Sequence, residues 1–281
     1  MPEKIGLIAG SGRFPILVAR EAKRLGVEIV ALGIKGVTDG ALEAIAGPVR
    51  YFRLGEIAKP IEFLKDSGAR KAVMAGKVEH ASLFGGVLPD WRAVKLLASL
   101  PDRRTDTILR AVAEEFAKEG IELLSSAGWL GHLLATEGIL SRRKPSSQEE
   151  RDLQLGWRAA KAISGLDIGQ TVVVQEGAVV AVEAVEGTDA AIRRAAKIVR
   201  DRGGEARLRV AKVAKPRQDF RFDLPVVGLD SLKVFSECGV AALAVEAGAT
   251  LLFDREEFLK EADRLKIAIR SMKEGDSRHG F

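Results

Sequence analysis

The chain has 281 residues, 47% of them hydrophobic and 30% charged, a balance that excludes intrinsic disorder and low-complexity architecture and favours two domains or one large α/β domain. Its 44 Lys+Arg against 39 Asp+Glu leave a charge of +5, scattered along the chain rather than gathered into a nucleic-acid stripe, so an anionic small ligand or a membrane headgroup fits the excess as well. One cysteine, Cys238, excludes an intramolecular disulfide framework and any multi-Cys metal site, and points to the cytoplasm. No apolar run approaches the ~18 residues of a membrane span, and the opening stretch is too short for a secretory signal.

Short apolar runs alternate with helical patterns through the first half, as in βα units feeding a parallel sheet. Lys4 to Ala9 reads as a buried strand. After the turn Gly10-Ser11-Gly12, residues Phe14, Leu17, Val18, Ala22 and Leu25 recur at helical spacing, and Gly26 follows as a stop. Strands follow at Val27 to Leu32, Val49 to Leu54 and Lys71 to Val78, with a helix through Ile57, Ile61 and Leu64 between the last two. A helix through Ile108, Leu109, Val112 and Phe116 ends at Gly120, before a short strand Ile121 to Leu124. The outline is an open, doubly wound, Rossmann-like domain over residues 1–135.

The stretch 136–150 lacks apolar periodicity and reads as a linker. Ser147 with Glu150 three residues on reads as a capping box opening a helix through Leu153, Trp157 and Ile163. Thr171 to Val174 and Val179 to Val185 read as two strands joined by a hairpin turn with Gly177 in a left-handed conformation. A helix through Ile192, Ala196 and Val199 and strand-like segments Ala206 to Val213, Val240 to Val245, Thr250 to Phe253 and Lys266 to Ile269 complete a mixed α/β domain over 151–281.

Several places carry chemistry. Gly10-Ser11-Gly12 lies where a dinucleotide fingerprint would lie, at a helix N-terminus where amides can cradle phosphate. Pro15 replaces the third glycine, however, and no acidic residue closes the second strand, which disfavours NAD; a plain tight turn fits equally. Lys77 and Val78 end the fourth strand, where a ligand crevice is expected and a solvated lysine is equally natural. His80, His132 and His279 stand in no metal-binding spacing, and Cys238 lies in an apolar stretch that suits an inert thiol.

In the second half, Gly187, Thr188 and Asp189 open a helix, with Thr188 as its cap and the glycine freeing amides for an anion. The stretch from Lys215 to Pro225 puts Lys215, Arg217, Gln218, Asp219, Arg221 and Asp223 between stiffening prolines. If that stretch is extended, Asp219, Arg221 and Asp223 share one side. Such a side suits phosphate and Mg²⁺, because carboxylate oxygens bind the hard cation while Arg and Lys neutralise phosphoryl oxygens; a solvated strand of paired charges is the alternative.

The combination of Gly6-Leu7-Ile8-Ala9-Gly10, Ala75-Gly76-Lys77-Val78, Leu166-Asp167-Ile168-Gly169-Gln170, Glu183 through Asp189, Lys215-Pro216, Asp223-Leu224-Pro225 with Gly228, and Glu246-Ala247-Gly248 resembles the LpxI family, the UDP-2,3-diacylglucosamine pyrophosphatases of lipid A biosynthesis. Ser231 stands where that family usually has threonine, so a hydroxyl is kept. The resemblance implies Mg²⁺-dependent hydrolysis of UDP-2,3-diacylglucosamine to UMP and 2,3-diacylglucosamine 1-phosphate (lipid X), in a cleft between the two domains. It implies Asp223 as the catalytic residue; Asp223 is the candidate metal ligand or water activator, with Asp219 as the second metal candidate. Gly10, Ser11, Gly12, Lys77, Val78, Gly187, Thr188, Asp189, Lys215, Gln218 and Arg221 are the substrate-binding candidates. The single cysteine and the modest, scattered positive charge lead to the expectation of a cytoplasmic enzyme that touches the inner membrane peripherally and has no nucleic-acid partner, with homodimerisation left open. A non-catalytic binder or sensor of an acylated sugar phosphate, and a nucleotide-dependent oxidoreductase, are the alternatives.

Overall fold

The structure, a computed structural model, describes residues 4–76, 78, 89–102, 105–125, 130–216, 219, 221 and 224–273. It divides into two compact units, the first holding residues 1–131 with 219–223 and the second holding 132–218 with 224–281.

The first unit contains β1 (Lys4–Ala9), α1 (Phe14–Arg24), β2 (Glu28–Ile34), the short α2 (Glu43–Ala46), β3 (Val49–Phe52), α3 (Ala58–Ser67), β4 (Lys71–Ala75), α4 (Trp91–Ser99), α5 (Thr105–Lys118) and β5 (Glu122–Leu124). The strands form one parallel sheet in the order β3-β2-β1-β4-β5. Successive strands run outward from β1 in one direction and then restart beside it at β4, so the strand order reverses between β1 and β4, the place where open α/β sheets bind ligands. Helices α3, α4 and α5 cover one face through Ile61, Leu64, Ala93, Leu96, Ala113 and Phe116, against Leu32, Ala72 and Leu123 of the sheet. Helix α1 packs on β1, β2 and β4 through Leu17, Val18 and Ala22, all buried. Gly26 follows it with φ +71°, as the stop signal predicts.

The second unit contains β6 (Gly138–Ile139), α6 (Ser147–Gly165), β7 (Thr171–Gln175), β8 (Ala178–Val182), α7 (Thr188–Asp201), β9 (Leu208–Lys212), β10 (Val226–Val227), α8 (Leu229–Cys238), β11 (Val240–Glu246), β12 (Leu251–Leu252), α9 (Arg255–Arg264) and β13 (Ala268–Met272). Its main sheet has the order β6-β13-β11-β9-β7-β8. Strands β9, β11 and β13 are parallel, while β6, β7 and β8 pair antiparallel with their neighbours; β10 and β12 form a separate parallel pair. The two-residue period sends Val172 and Val174 to the face covered by α6 with Trp157, and Val173 to the opposite face. There Phe235 and Phe258 fill the layer beneath α7, α8 and α9, each burial contributing about 1.5–3 kcal/mol. The expected α/β class with two sheets, one parallel and one mixed, is the observed one.

The structure corrects several local expectations. The capping box at the start of α6 is Ser146 with Glu149, one residue earlier than the Ser147–Glu150 pair: the Glu149 backbone N–H donates to Ser146 Oγ at 3.3 Å and the Ser146 N–H to Glu149 Oε2 at 2.8 Å. Both pairs satisfy the spacing. Arg143 decides between them by binding the other oxygen of Glu149 at 2.5 Å. The stretch 136–150, read as a linker, is built into the second unit: β6 joins the sheet beside β13, and Ser141 Oγ accepts the Ile269 N–H at 2.8 Å.

The hairpin between β7 and β8 turns through Glu176 and Gly177, with φ of +52° and +77°. The carboxylate of Asp152, 0% exposed, accepts both of their N–H groups at 3.1 and 2.8 Å. Strand β8 stops at Val182 rather than Val185, and β13 starts at Ala268 because Lys266 takes a left-handed conformation that a strand cannot contain. Among the described residues, no helix is long and apolar enough to cross a membrane.

Candidate functional site

In the first unit the turn Gly10-Ser11-Gly12 sits at the reversal point between β1 and β4. The Gly10 N–H donates to Ala75 O at 2.8 Å, clamping the two strand ends together. A Cβ on Gly76 would lie 2.6 Å from Ser11 O and 2.9 Å from Gly10 C, and its φ is +93°. Glycine is therefore required there on two counts, and its absence of side chain lets the two loops touch. Thr38 braces the same corner, donating its hydroxyl to Ala9 O at 2.5 Å while accepting the Ile34 N–H at 2.7 Å. Gly12 is exposed, with no atom within 4 Å of where its Cβ would be, just ahead of the positive end of α1. Val78 follows half-buried, and Lys77 lies outside the described residues.

In the second unit, stretches far apart in sequence converge on one edge of the sheet, where β9 and β11 end and β7 begins. Thr171 is paired with Lys212 in the β7–β9 register and Val245 with Lys212 in the β9–β11 register. Thr188 stands at the centre. Its hydroxyl donates to Glu183 Oε1 at 2.8 Å, accepts from Lys212 Nζ at 3.1 Å, and lies 3.3 Å from Thr171 Oγ1. Since its single hydrogen goes to Glu183, Thr171 is the donor in the last contact. The sequence expectation of Thr188 as helix cap is corrected: Gly187, with φ +85°, is the N-cap of α7 and Thr188 is its first residue, so the hydroxyl is released for this network. Asp189 lies in the first turn of the same helix, where its charge complements the helix dipole.

The remaining stretches close around this centre. Gly169 abuts the Glu183 carbonyl; the Gln170 N–H donates to Glu183 Oε2 at 3.3 Å. Lys215 pairs with Asp167 at 2.6 Å. Glu246, at the end of β11, accepts Lys161 Nζ on one oxygen at 2.6 Å and the Ala214 N–H on the other at 2.8 Å, fixing the backbone immediately before Lys215. Leu166, Ile168 and Val185 are exposed beside the polar cluster, Val185 fully so. Chemically the edge offers fixed cations, a hydroxyl and a helix N-terminus to an anion, with an aliphatic rim. Lys212, Lys161 and Glu246 were not among the sequence candidates; the available signal was a polar residue closing each of the apolar runs of β9 and β11.

Within the stretch from Lys215 to Pro225, the described residues include Asp219 and Arg221. The Asp219 carboxylate accepts the Arg221 backbone N–H at 3.1 Å, and both of its oxygens also meet the Arg221 guanidinium at 2.6–3.1 Å. That pairing holds the Asp219 carboxyl below the usual carboxylate range. Both oxygens of Asp219 are engaged by Arg221, and among the described residues no three His, Cys, Asp or Glu side chains gather to hold a cation. Asp223 and Gln218 lie outside the described residues. The Cys238 thiol is buried, and burial pushes its pKa up, so it is poorly suited to act as a nucleophile.

The fold and the site define a two-unit α/β protein with a Rossmann-like parallel sheet followed by a mixed sheet whose strand ends form a polar, anion-suited edge. The LpxI N-terminal domain model matches residues 4–133 and the LpxI C-terminal domain model residues 136–270. A protein of Caulobacter vibrioides, UDP-2,3-diacylglucosamine pyrophosphatase LpxI, is 34% identical over 272 residues, covering 95% of this chain and 96% of that relative. The chain belongs to the LpxI family.

Proposed function

We propose that this protein hydrolyses the pyrophosphate bond of UDP-2,3-diacylglucosamine, giving UMP and 2,3-diacylglucosamine 1-phosphate, a step of lipid A biosynthesis. The observation that carries the reading is the convergence of Gly169, Glu183, Thr188, Lys215 and Glu246 on one sheet edge, in a chain that is similar along nearly its whole length to a protein of that name. Water adds its oxygen to one phosphorus, the bond between that phosphorus and the bridging oxygen breaks, and the bridging oxygen leaves with the other phosphate. Lys212 and Lys215 neutralise phosphoryl oxygens, and the first amides of α7 add their dipole. An amphiphilic substrate also needs apolar contact, which Leu166, Ile168 and Val185 provide beside the cations. In the first unit, Gly10, Ser11, Gly12 and Val78 line the reversal point and contact the substrate there.

Asp223 as the water-activating residue, Mg²⁺ as cofactor, lipid X as bound product, a cytoplasmic location and peripheral contact with the inner membrane complete the proposal; the family resemblance supports them. The test supplies UDP-2,3-diacylglucosamine with Mg²⁺ or with EDTA and measures UMP. Release of UMP that EDTA abolishes and that Asp223→Ala lowers by orders of magnitude without loss of fold is the expected result. Binding without turnover would instead identify a sensor, and near-normal turnover by Asp223→Ala would remove that residue from the chemistry.

A further inference from the structure

The first unit carries a further surface feature. At the carboxyl ends of β2 and β3, Lys35, Arg50, Arg53 and Lys59 surround an open cavity of about 290 Å³ together with Tyr51 and Glu56. Of the lining residues four are cations and Glu56 is the carboxylate, pairing with Lys59 at 2.7 Å and accepting the Arg53 backbone N–H at 2.8 Å; Glu43, hydrogen-bonded to Tyr51, and Asp39 add negative charge on the Tyr51 side, so cations still outnumber carboxylates at the rim. All four cations are exposed.

An apolar face adjoins this rim. The Asp90 carboxylate accepts the N–H groups of Ile57 and Ala58 at 2.7 and 2.8 Å, and its own N–H donates to Gly55 O at 3.1 Å. The start of α4 is thereby tied to the loop that supplies Arg53 and Glu56 and to the first turn of α3, which carries Lys59. Helix α4 buries Ala93 and Leu96, yet turns Trp91 and Val94 outward, 66% and 52% exposed, with Lys95 and Ala98 exposed on the same side. An outward tryptophan on a short helix beside clustered Lys and Arg is the arrangement that suits the headgroup layer of an anionic bilayer, where indole settles at the interface and the cations meet lipid phosphate.

We propose that this face, Trp91 and Val94 with Lys35, Arg50, Arg53 and Lys59, docks the protein on a bilayer of anionic phospholipid. The assignment rests on the proposed activity in one respect only, namely that an acylated substrate gives the enzyme reason to visit a membrane. Trp91 enters the interface and the cations engage phosphate, so attachment is reversible and weakens with salt.

The test mixes the full-length protein with phosphatidylcholine vesicles with or without phosphatidylglycerol, following co-sedimentation and tryptophan fluorescence. Binding confined to phosphatidylglycerol vesicles, a blue shift absent from Trp91→Phe, and ~fivefold weaker binding for each of Arg50→Ser and Arg53→Ser are expected. Hydrolysis of detergent-dispersed substrate should stay at the wild-type rate in these variants, with circular dichroism confirming their fold. Equal binding to neutral vesicles, a blue shift that survives in Trp91→Phe, or undiminished binding by both arginine variants overturns the proposal. So does a dimer that Trp91→Ala dissociates, since the face would then be an interface between copies. If the wild type binds vesicles but releases no UMP, the functional reading fails while the docking face stands.

Discussion

Gly169 lies so close to Glu183 that a Cβ on it would come within 2.0 Å of the Glu183 carbonyl oxygen. The contact joins the loop after α6 to the end of β8, and it brings the Gln170 N–H within reach of the Glu183 carboxylate. Backbone cannot yield as a flexible side-chain tip can, so Gly169→Ala should lower unfolding free energy by about 1–3 kcal/mol, the usual cost of overpacking. Urea denaturation of the two proteins measures the difference, and an unchanged midpoint would show that the loop moves aside freely.

Thr188 links Glu183 to Lys212. Thr188→Val keeps the shape but removes the hydroxyl, leaving both partners without that contact, and should lower kcat/KM about tenfold, the equivalent of one lost charge-assisted hydrogen bond. Thr188→Ser should retain most of the rate. Steady-state kinetics on the two variants separates a polar role from a purely spatial one, since equal losses in both would indicate packing alone.

Glu246 binds Lys161 and the backbone before Lys215 simultaneously. Glu246→Ala leaves a lysine ammonium and an amide without their acceptor, which should cost about 1–3 kcal/mol of stability. A Lys161→Met, Glu246→Gln double variant removes both charges while keeping an acceptor for Ala214, and should recover part of that loss in thermal melts. No recovery would place the cost elsewhere than in the orphaned lysine.

Asp90 serves two helices, accepting the Ala93 N–H at the start of α4 and the Ile57 and Ala58 N–H groups at the start of α3. Burial pushes its pKa up, but these backbone donors outweigh that and hold it below the ordinary value. A carboxyl depressed on folding stabilises fully above its unfolded pKa of about 3.9, and that contribution is lost as pH falls through the lower folded value. Asp90→Ala should therefore destabilise by about 2 kcal/mol at neutral pH, one increment for each cap. Between neutral pH and acid the gap to wild type should narrow; a constant gap in denaturation at both pH values would argue against the capping account.

The parts of this fold that local chemistry controls could be read directly from residue order. Apolar spacing marked α1, α3, α5 and α7, the run of valines marked β7, and Gly26, Gly120 and Gly177 marked places where the chain must turn. Errors of one or two residues arose where two local solutions were nearly equal, as at Ser146 and Ser147, and Arg143 broke the tie by reaching Glu149 from three residues upstream of the cap. At Thr188 the sequence pattern was right about a helix start and misassigned the hydroxyl, because Gly187 already supplies the cap conformation and Glu183 offers a stronger acceptor. At Asp219 and Arg221 alternation placed both side chains on one side if the stretch was extended, and in the structure the two pair with each other.

By itself, then, the sequence determined the class of the protein, its βα rhythm and the family to which its scattered motifs belong, since periodicity and turn chemistry act over a few residues. Strand order, the β1–β4 reversal point, the meeting of Lys212, Thr188 and Glu183, and the pairing of Lys161 with Glu246 were decided only in three dimensions. The last joins positions 85 residues apart, and no local preference ranks one long-range pairing above another. What ranks them is burial of the two sheets against their helices, which brings the polar residues that end each strand to one edge.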